Sequence, residues 1–530
     1  MNARLHDHSG VEKTTTHGRL SLKLEIFCYL LIVLAPAFVL AQTYPQDFNY
    51  SRYNEVLIDA GLGWRQNSIF HPLRVPEEAN VLNDSEVFGA FEWMQREMDG
   101  FGTIARSIKT DSKNGLAGIG IVGLEARDES GSSARYGDVA VTTNVWAQLR
   151  FHSQWYTRSS VRATSNAASL SHFSGVTRKI SRFGIDASEV DQGVFGFEND
   201  WSTIEFGRTR EIWGPLAEDN LAPAGGVPAW EELKLEGRYK RLTYRYFYGF
   251  LEAVQIPESG DIIQRYVMGR ALEYRNGHNL VIGVTEFANM SGKNRPVDWA
   301  FLNPISIEVE VEQNHRGNSE PNSTKANAVW ISHVDWLPFP SLRVAGSLLI
   351  DEFQFDKADR NKGRSDLTGY LFHLAWTPKR SPIGITAFFD WVWIGTYTMM
   401  HDSPYTVFST RGQFMGNSIG NDAEKIEVGG RMIFGFPLMI EAGLGTRRWG
   451  DMSLLSNPYK TFQGITRQPF PSGEVRSNQY VRLRMDYQPL RQLTLGLNGH
   501  FDISHKGTDS QMNAILLEAR FQMKPMSKSF

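Results

Sequence analysis

The sequence predicts an all-β protein, a large closed antiparallel transmembrane β-barrel preceded by a small helical region. Three observations carry this. The hydrophobic period changes to two near Gly115 and holds almost to the C-terminus; the alternating runs reach the roughly 9 to 11 residues that cross a bilayer at a tilt; and short links alternate with long ones. A soluble sandwich also alternates, but its strands run about 5 to 6 residues. Composition agrees: at 530 residues, 41% hydrophobic and a mean hydropathy of −0.33, the chain is too polar for a helical membrane protein. A net charge of −3, spread over 55 basic and 58 acidic residues, includes no long single-sign block, so nucleic acid is not an expected partner.

Taken in order, residues 1–41 read as a secretory signal. Lys13, Arg19 and Lys23 precede the apolar run from Ile26 to Ala41, and Val39-Leu40-Ala41 offers a small residue for cleavage before Gln42. An anchoring helix is the alternative, but the run falls short of the roughly 20 residues needed to span, and Glu25 abuts it. Cys28, the only cysteine, lies inside this run, so a mature chain would hold no thiol and no disulfide.

Residues 42–113 form the expected helical, periplasmic region. Asn83, Asp84 and Glu86 resemble a helix start, and Phe88, Phe91, Met94, Met98, Phe101, Ala105 and Ile108 recur at helical spacing. Gly100 and Gly102 favour two short helices over one long one.

Residues 114–530 form the expected barrel. In Arg476–Tyr487 the residues Val481, Leu483, Met485 and Tyr487 share one face while Arg482, Arg484 and Asp486 share the other; Leu242, Tyr244, Tyr246, Tyr248 and Phe250 make another oily face. Short links occur at Asn276-Gly277, Leu337–Pro340, Thr377–Pro382, Gly435-Phe436-Pro437 and Gln488-Pro489-Leu490. Long polar links occur at Asn289–Lys325, Met400–Ala423 and Trp449–Val475. About 17 strands can be picked out, and an even number is needed. The alternating Ile305–Glu312 stretch is the natural candidate for the missing one, which predicts 18 strands with 16 as the alternative. Trp330, Trp336, Phe372, Trp376, Trp391, Trp393, Tyr397 and Tyr480 sit near expected strand ends, as in interfacial girdles.

If the oily faces meet lipid, the lumen receives Glu232, Lys234, Glu236, Arg241, Arg245, Glu427, Arg431, Glu441, Arg447, Glu518 and Arg520. Interleaved signs pair across strands, predicting an ion-paired interior with at most a narrow channel. Enzymatic motifs are weak: His500, Asp502 and Ser504 share a face, but side chains at i, i+2 stand about 7 Å apart, too far for a relay. No metal-ligand spacing, phosphate loop or dinucleotide fingerprint is found, so no enzyme, metal or cofactor is expected.

Glu205–Pro215 is the most distinctive segment. Arg208, Arg210 and Trp213 would suit an acidic polysaccharide, guanidinium forks for carboxylates and an indole face for a sugar ring; the same residues also suit a structural turn whose arginines pair with lumen acids. Phe206-Gly207-Arg208 followed by Trp213-Gly214-Pro215, then Leu302-Asn303-Pro304 and Leu349-Ile350-Asp351-Glu352-Phe353, resemble the Wzi-type capsule assembly protein family over approximately Tyr53 to Phe521. The resemblance implies an 18-stranded outer-membrane barrel with a helical bundle at its periplasmic end and a lectin-like role in holding capsular polysaccharide. Asp351-Glu352 stands where that family often has two aspartates, and Leu216 where a glycine is frequent.

The expected polysaccharide-binding residues are therefore Arg208, Arg210, Trp213, Trp299, Asn303, Arg316, Tyr405, Arg411, Arg448, Trp449 and Tyr459. Expected partners are surface polysaccharide, outer-membrane lipid and the capsule export machinery, with the barrel itself monomeric. The competing reading is a porin or uptake channel for small solutes.

Overall fold

A computed structural model describes residues 50–62, 68–71, 90–91, 93–94, 115–130, 138–151, 154–166, 185–225, 227–307, 325–352, 366–378, 383–401, 403–455, 469–490, 493–506, 511–522 and 526–527. The expected signal segment and the residues from 95 to 114 lie outside these. The first helix, α1, is Tyr50–Asp59. Ala90, Phe91, Trp93 and Met94 are also helical and buried, in the stretch where helical spacing was read.

The body consists of long strands: β1 Gly115–Ser130, β2 Asp138–Phe151, β3 Trp155–Thr164, β4 Ala187–Glu198, β5 Ser202–Thr209, β6 Trp230–Tyr239, β7 Leu242–Phe250, β8 Ile262–Arg275, β9 Leu280–Lys293, β10 Lys325–Phe339, β11 Leu342–Glu352, β12 Leu367–Trp376, β13 Gly384–Ile394, β14 Ala423–Ile433, β15 Leu438–Trp449, β16 Arg476–Leu490, β17 Leu493–Lys506 and β18 Gln511–Gln522. Each pairs antiparallel with the next. β1 also pairs with β18, Ile119 opposite Gln522 through Ser130 opposite Gln511. The pairings therefore run in a ring of 18, and the sheet has no free long edge.

The eighteenth strand is not the one expected. Ile305–Ile307 lie outside any strand and Glu308–Glu312 lie outside the described residues, while β10 begins only at Lys325.

Alternation sorts the two faces. Val428, Leu444, Leu483, Leu495, Ile515 and Leu517 point outward and are exposed, as a lipid-facing wall requires. No described helix is long and apolar enough to cross a membrane. The expected short links join strand ends at one end of the barrel, with Trp336, Phe339, Trp376 and Phe436 exposed beside them. In outer-membrane barrels this turn end faces the periplasm. Two aromatics leave the expected girdle: Tyr480 points inward and donates to Glu427 (2.7 Å), and Tyr397 packs in the interior core. Arg241 sits exposed in the turn after β6 rather than in the lumen, because the two-residue link takes it out of the alternation.

The interior is packed as well as paired. Arg245 reaches Glu236 (2.5 Å) and Glu211 (3.2 Å), Lys234 reaches Glu205 (2.5 Å) and Glu211 (2.9 Å), and Arg482 bridges Glu427 and Glu441, both at 2.5 Å. Between these ladders runs one apolar cluster from α1 to the loops, including Ile58, Phe70, Trp213, Phe247, Phe287 and Phe408.

Candidate functional site at the loop-end rim

Two long loops fill the barrel from the end opposite the turns. The β5–β6 loop dives inward at Arg210. Trp213 is sealed between Phe70 and Phe247 in edge-on contacts of 5.5 and 5.2 Å, and its indole Nε1 donates to Glu211 (2.7 Å). Gly214, at φ +140, lies where an added Cβ would strike Asn220; only glycine turns the chain in that space. The loop then meets α1: Glu55 accepts from the Ala217 amide (2.6 Å), and Arg343 donates to the Pro215 carbonyl (2.6 Å).

Asp59, at the C-terminal end of α1, fixes that floor. It is fully buried and accepts from Arg343 (2.7 Å), Arg431 (2.9 Å) and His373 (3.2 Å). Burial alone would raise its pKa, but the surrounding cations hold it well below the usual aspartate range. Glu55 goes the other way, raised first by burial and then by the charge on Asp59.

The β13–β14 loop closes over this layer. Met415 accepts from the Ala224 amide, Asn417 donates to Asn220 and Asp219, and Phe408 lies 5.1 Å from Phe287. Arg265 of β8 donates to the carbonyls of Tyr405, Val407 and Ser409 at 2.9, 3.2 and 2.7 Å, tying the loop to the wall.

On top, a miniature hairpin pairs Ser409–Thr410 with Gln413–Phe414 and lifts Arg411 to its tip. Arg411 and Gly412 both take positive φ, 48° and 73°, the geometry of a tight hairpin turn that is costly for arginine. Glu252, from the β7–β8 loop, holds the tip: it accepts from the Arg411 amide (2.7 Å) and the Thr410 hydroxyl (2.8 Å) and pairs with Arg265 (3.0 Å). The Arg411 guanidinium lies 3.9 Å from Glu189 and keeps roughly a third of its surface open. Its pKa is lowered, first by partial burial and then by the nearby Arg208 charge. Arg208 meets Glu231 at 3.3 Å, and Glu231 is half exposed. This rim thus offers two neighbouring guanidiniums and several acids at a surface open to a large polar ligand.

The structure brings Arg208, Arg411 and Tyr405 to this rim, Arg208 from the outward face of β5 that also carries Phe206. It buries Arg210 against Asp191 beneath it and seals Trp213 in the core, so neither presents a face to solvent. Trp449 is partly buried, its indole held by the Ile419 carbonyl (3.1 Å). Arg448, opposite in parity, points outward from the barrel and pairs with Glu424, which also accepts from Trp391. Trp299 and Asn303 are exposed, but on the outer wall rather than the rim. Arg316 and Tyr459 lie outside the described residues. The acids that organise the rim, Glu189, Glu231 and Glu252, escaped the sequence reading because they come from three separate elements. The Arg411-Gly412 pair, a turn signal inside a long loop, was the one local cue.

His500 and Asp502 come closer than strand geometry implied, 3.3 Å, beside a register shift in the β16–β17 pairing. His500 also stacks on Tyr480 (4.7 Å). Ser504 lies past the shift and is exposed, so the structure assembles two of the three residues and leaves the third apart. Among the described residues no group of three or more histidines, cysteines and acids is placed to hold a metal ion.

No family model and no curated protein matches the chain. Solved structures do. The chain is similar to Wzi, an outer membrane protein involved in group 1 capsule assembly in Escherichia coli and described as a carbohydrate binding beta-barrel. That match has a TM-score of 0.61 at 10% identity and covers 92% of this chain and 100% of the other. This chain has the fold of a transmembrane β-barrel. Lower similarities reach OprD of Pseudomonas aeruginosa (TM-score 0.42, 11% identity, 79% and 98% covered) and OccAB4 of Acinetobacter baumannii (0.43, 10%, 79% and 100%). At 10% identity the Wzi match speaks for the barrel fold.

Proposed function

We propose that this outer-membrane barrel binds surface polysaccharide at its loop end and takes part in capsule assembly or attachment, acting by binding and not by catalysis. One observation carries the reading: the interior is occupied by interlocked loops around a continuous apolar core, which leaves the rim, and not a pore, as the surface open to a polar ligand. The similarity to a carbohydrate-binding barrel of the same fold supports it. So does the chemistry of Arg208 and Arg411, whose planar donors suit the carboxylates and hydroxyls of an acidic polymer. Export through cleavage after Ala41 is part of this proposal.

The test is binding of fluorescently labelled acidic capsular polysaccharide to the protein in lipid nanodiscs, with the Arg208→Ala/Arg411→Ala double variant beside it. The expected result is a loss of at least about tenfold in affinity, since a charge-assisted hydrogen bond contributes about 1.5–3 kcal/mol. Equal affinities would reject the rim. In planar bilayers the intact protein should be nearly silent; a large, reproducible conductance would favour the channel instead.

A further inference from the structure

The described part of the loop after β9, residues 294–307, does not turn inward as the loops after β5 and β13 do. Outward-facing residues on β7, β8 and β9 change character along each strand: near the turn end Leu272, Ile282 and Val284 are bare, but toward the loop end Tyr246, Met268 and Met290 are completely buried. They lie on the outside of the barrel, since their strand neighbours Arg245, Phe247 and Val267 face the interior. What covers them is the segment from Asn294 to Ile305, with the short helix α2, Trp299–Leu302, at its centre.

The attachment is specific. Phe301 is buried among Tyr246, Tyr248, Tyr266, Met268 and Met290, flanked by Val297 and Leu302. Three tyrosines of the wall donate to the segment's backbone: Tyr266 to the Arg295 carbonyl (2.8 Å), Tyr246 to the Phe301 carbonyl (2.6 Å) and Tyr244 to the Pro304 carbonyl. Asp298 caps α2 through the Ala300 amide (2.9 Å). Tyr244 lies six residues from Phe250, the loop-end terminus of β7, so the strap descends about 20 Å along the wall at about 3.3 Å per residue. A lipid-facing band is about 25 Å tall.

Beneath it Arg270 and Glu286, opposite each other on β8 and β9, form an outward-facing ion pair at 2.8 Å, both buried. Charged side chains on the lipid face of a barrel are costly, and their cost grows toward the bilayer centre. Tyr246, opposite Arg270 on β7, donates to the strap beside this pair, and the strap turns outward Trp299, 83% exposed, and Ile305, 84% exposed.

We infer that residues 294–305 form a membrane-embedded strap: this segment is folded down the outer wall into the bilayer, where it shields the Arg270–Glu286 pair and presents Trp299 and Ile305 to lipid. Its partner is bilayer lipid, because the strap is continuous with the bare wall of Leu272, Ile282 and Val284 and its most exposed side chains, Trp299 and Ile305, are apolar. The inference rests on the barrel and its membrane, and is independent of the polysaccharide reading.

With Cys28 replaced by serine, single cysteines at Trp299 and Ile305 take a bimane label in the full-length protein, reconstituted in vesicles of acyl-chain-brominated phosphatidylcholine. Leu272→Cys marks the lipid wall and Glu474→Cys the aqueous loops. Bimane at 299 and 305 should be quenched by the brominated chains at least half as strongly as at 272, and by aqueous iodide several-fold less than at 474. Iodide quenching equal to that at 474 would overturn the strap's placement. Protection from both quenchers would mean that protein, for instance a second barrel, covers it, and would overturn lipid as the partner. On the unaltered protein, a bilayer-dissolved carbene precursor should leave adducts within residues 294–305 as well as at Leu272 and Ile282; adducts on the wall alone would also overturn it.

Discussion

The floor around Asp59 and the rim around Arg411 are both clusters of arginines and acids, yet they differ in one physical respect. At the floor the central charge is dry and answered: the Asp59 carboxylate accepts from three cations contributed by β11, β12 and β14, and the helix that carries it is thereby locked into the barrel. At the rim the pairs are longer, 3.3 and 3.9 Å, and the groups remain partly open to water. Density of charge therefore does not by itself distinguish the two clusters; exposure to solvent does. Buried ion pairs are costly to break, whereas exposed ones contribute about 0–1 kcal/mol and exchange partners readily.

Four substitutions break or sharpen that contrast. Asp59→Ala strands Arg343, Arg431 and His373 in the interior and should cost about 3–5 kcal/mol in urea unfolding of the vesicle-embedded protein; a loss below about 1 kcal/mol would show that the floor is not a buried hub. Arg411→Ala should leave that stability within about 0.5 kcal/mol while weakening polymer binding severalfold, a separation read by running both assays on one preparation. Gly412→Ala forces a side chain into a left-handed backbone at φ +73; about 1–2 kcal/mol of strain should loosen the hairpin and lower affinity with Arg411 still present.

The smallest effect is on pH. Because the Asp59 pKa is depressed, its stabilisation is complete above the ordinary aspartate pKa of about 3.9 and is lost only as pH falls toward the lower native value. Glu55 is raised, so its contribution is present in acid and lost as pH rises through its native value, opposing docking of α1 at neutral pH. Glu55→Gln keeps an acceptor for Ala217 and removes the charge. The urea midpoint should then rise slightly at pH 7 and be unchanged at pH 4; a fall at pH 7 would show that the ionised form is the useful one.

Much of the barrel was legible because a strand in lipid leaves a local record. Val481, Leu483, Met485 and Tyr487 against Arg482, Arg484 and Asp486 already state which face is which, and the links at Asn276-Gly277 and Gln488–Leu490 state where the chain turns. The site was less legible. Trp213 and Arg210 carry the residue types of a sugar site and serve the core, whereas Arg411 depends on Glu252 and Glu189, which are distant in sequence. The Ile305–Glu312 alternation predicted a strand where Ile305–Ile307 form none, and Tyr246 and Tyr248 read as lipid-facing although Phe301 covers them.

By itself the sequence determined the barrel, its closure near 18 strands and the alternation of oily and charged faces, because hydrocarbon and water act on each side chain separately and leave a period in the chain. Only the tertiary structure decided which loops turn inward to fill the lumen, which segment lies against the outer wall, and which arginines stay partly exposed. Those outcomes depend on partners brought together from strands hundreds of residues apart, Asp59 with Arg343 or Phe408 with Phe287, and no local pattern encodes such a meeting.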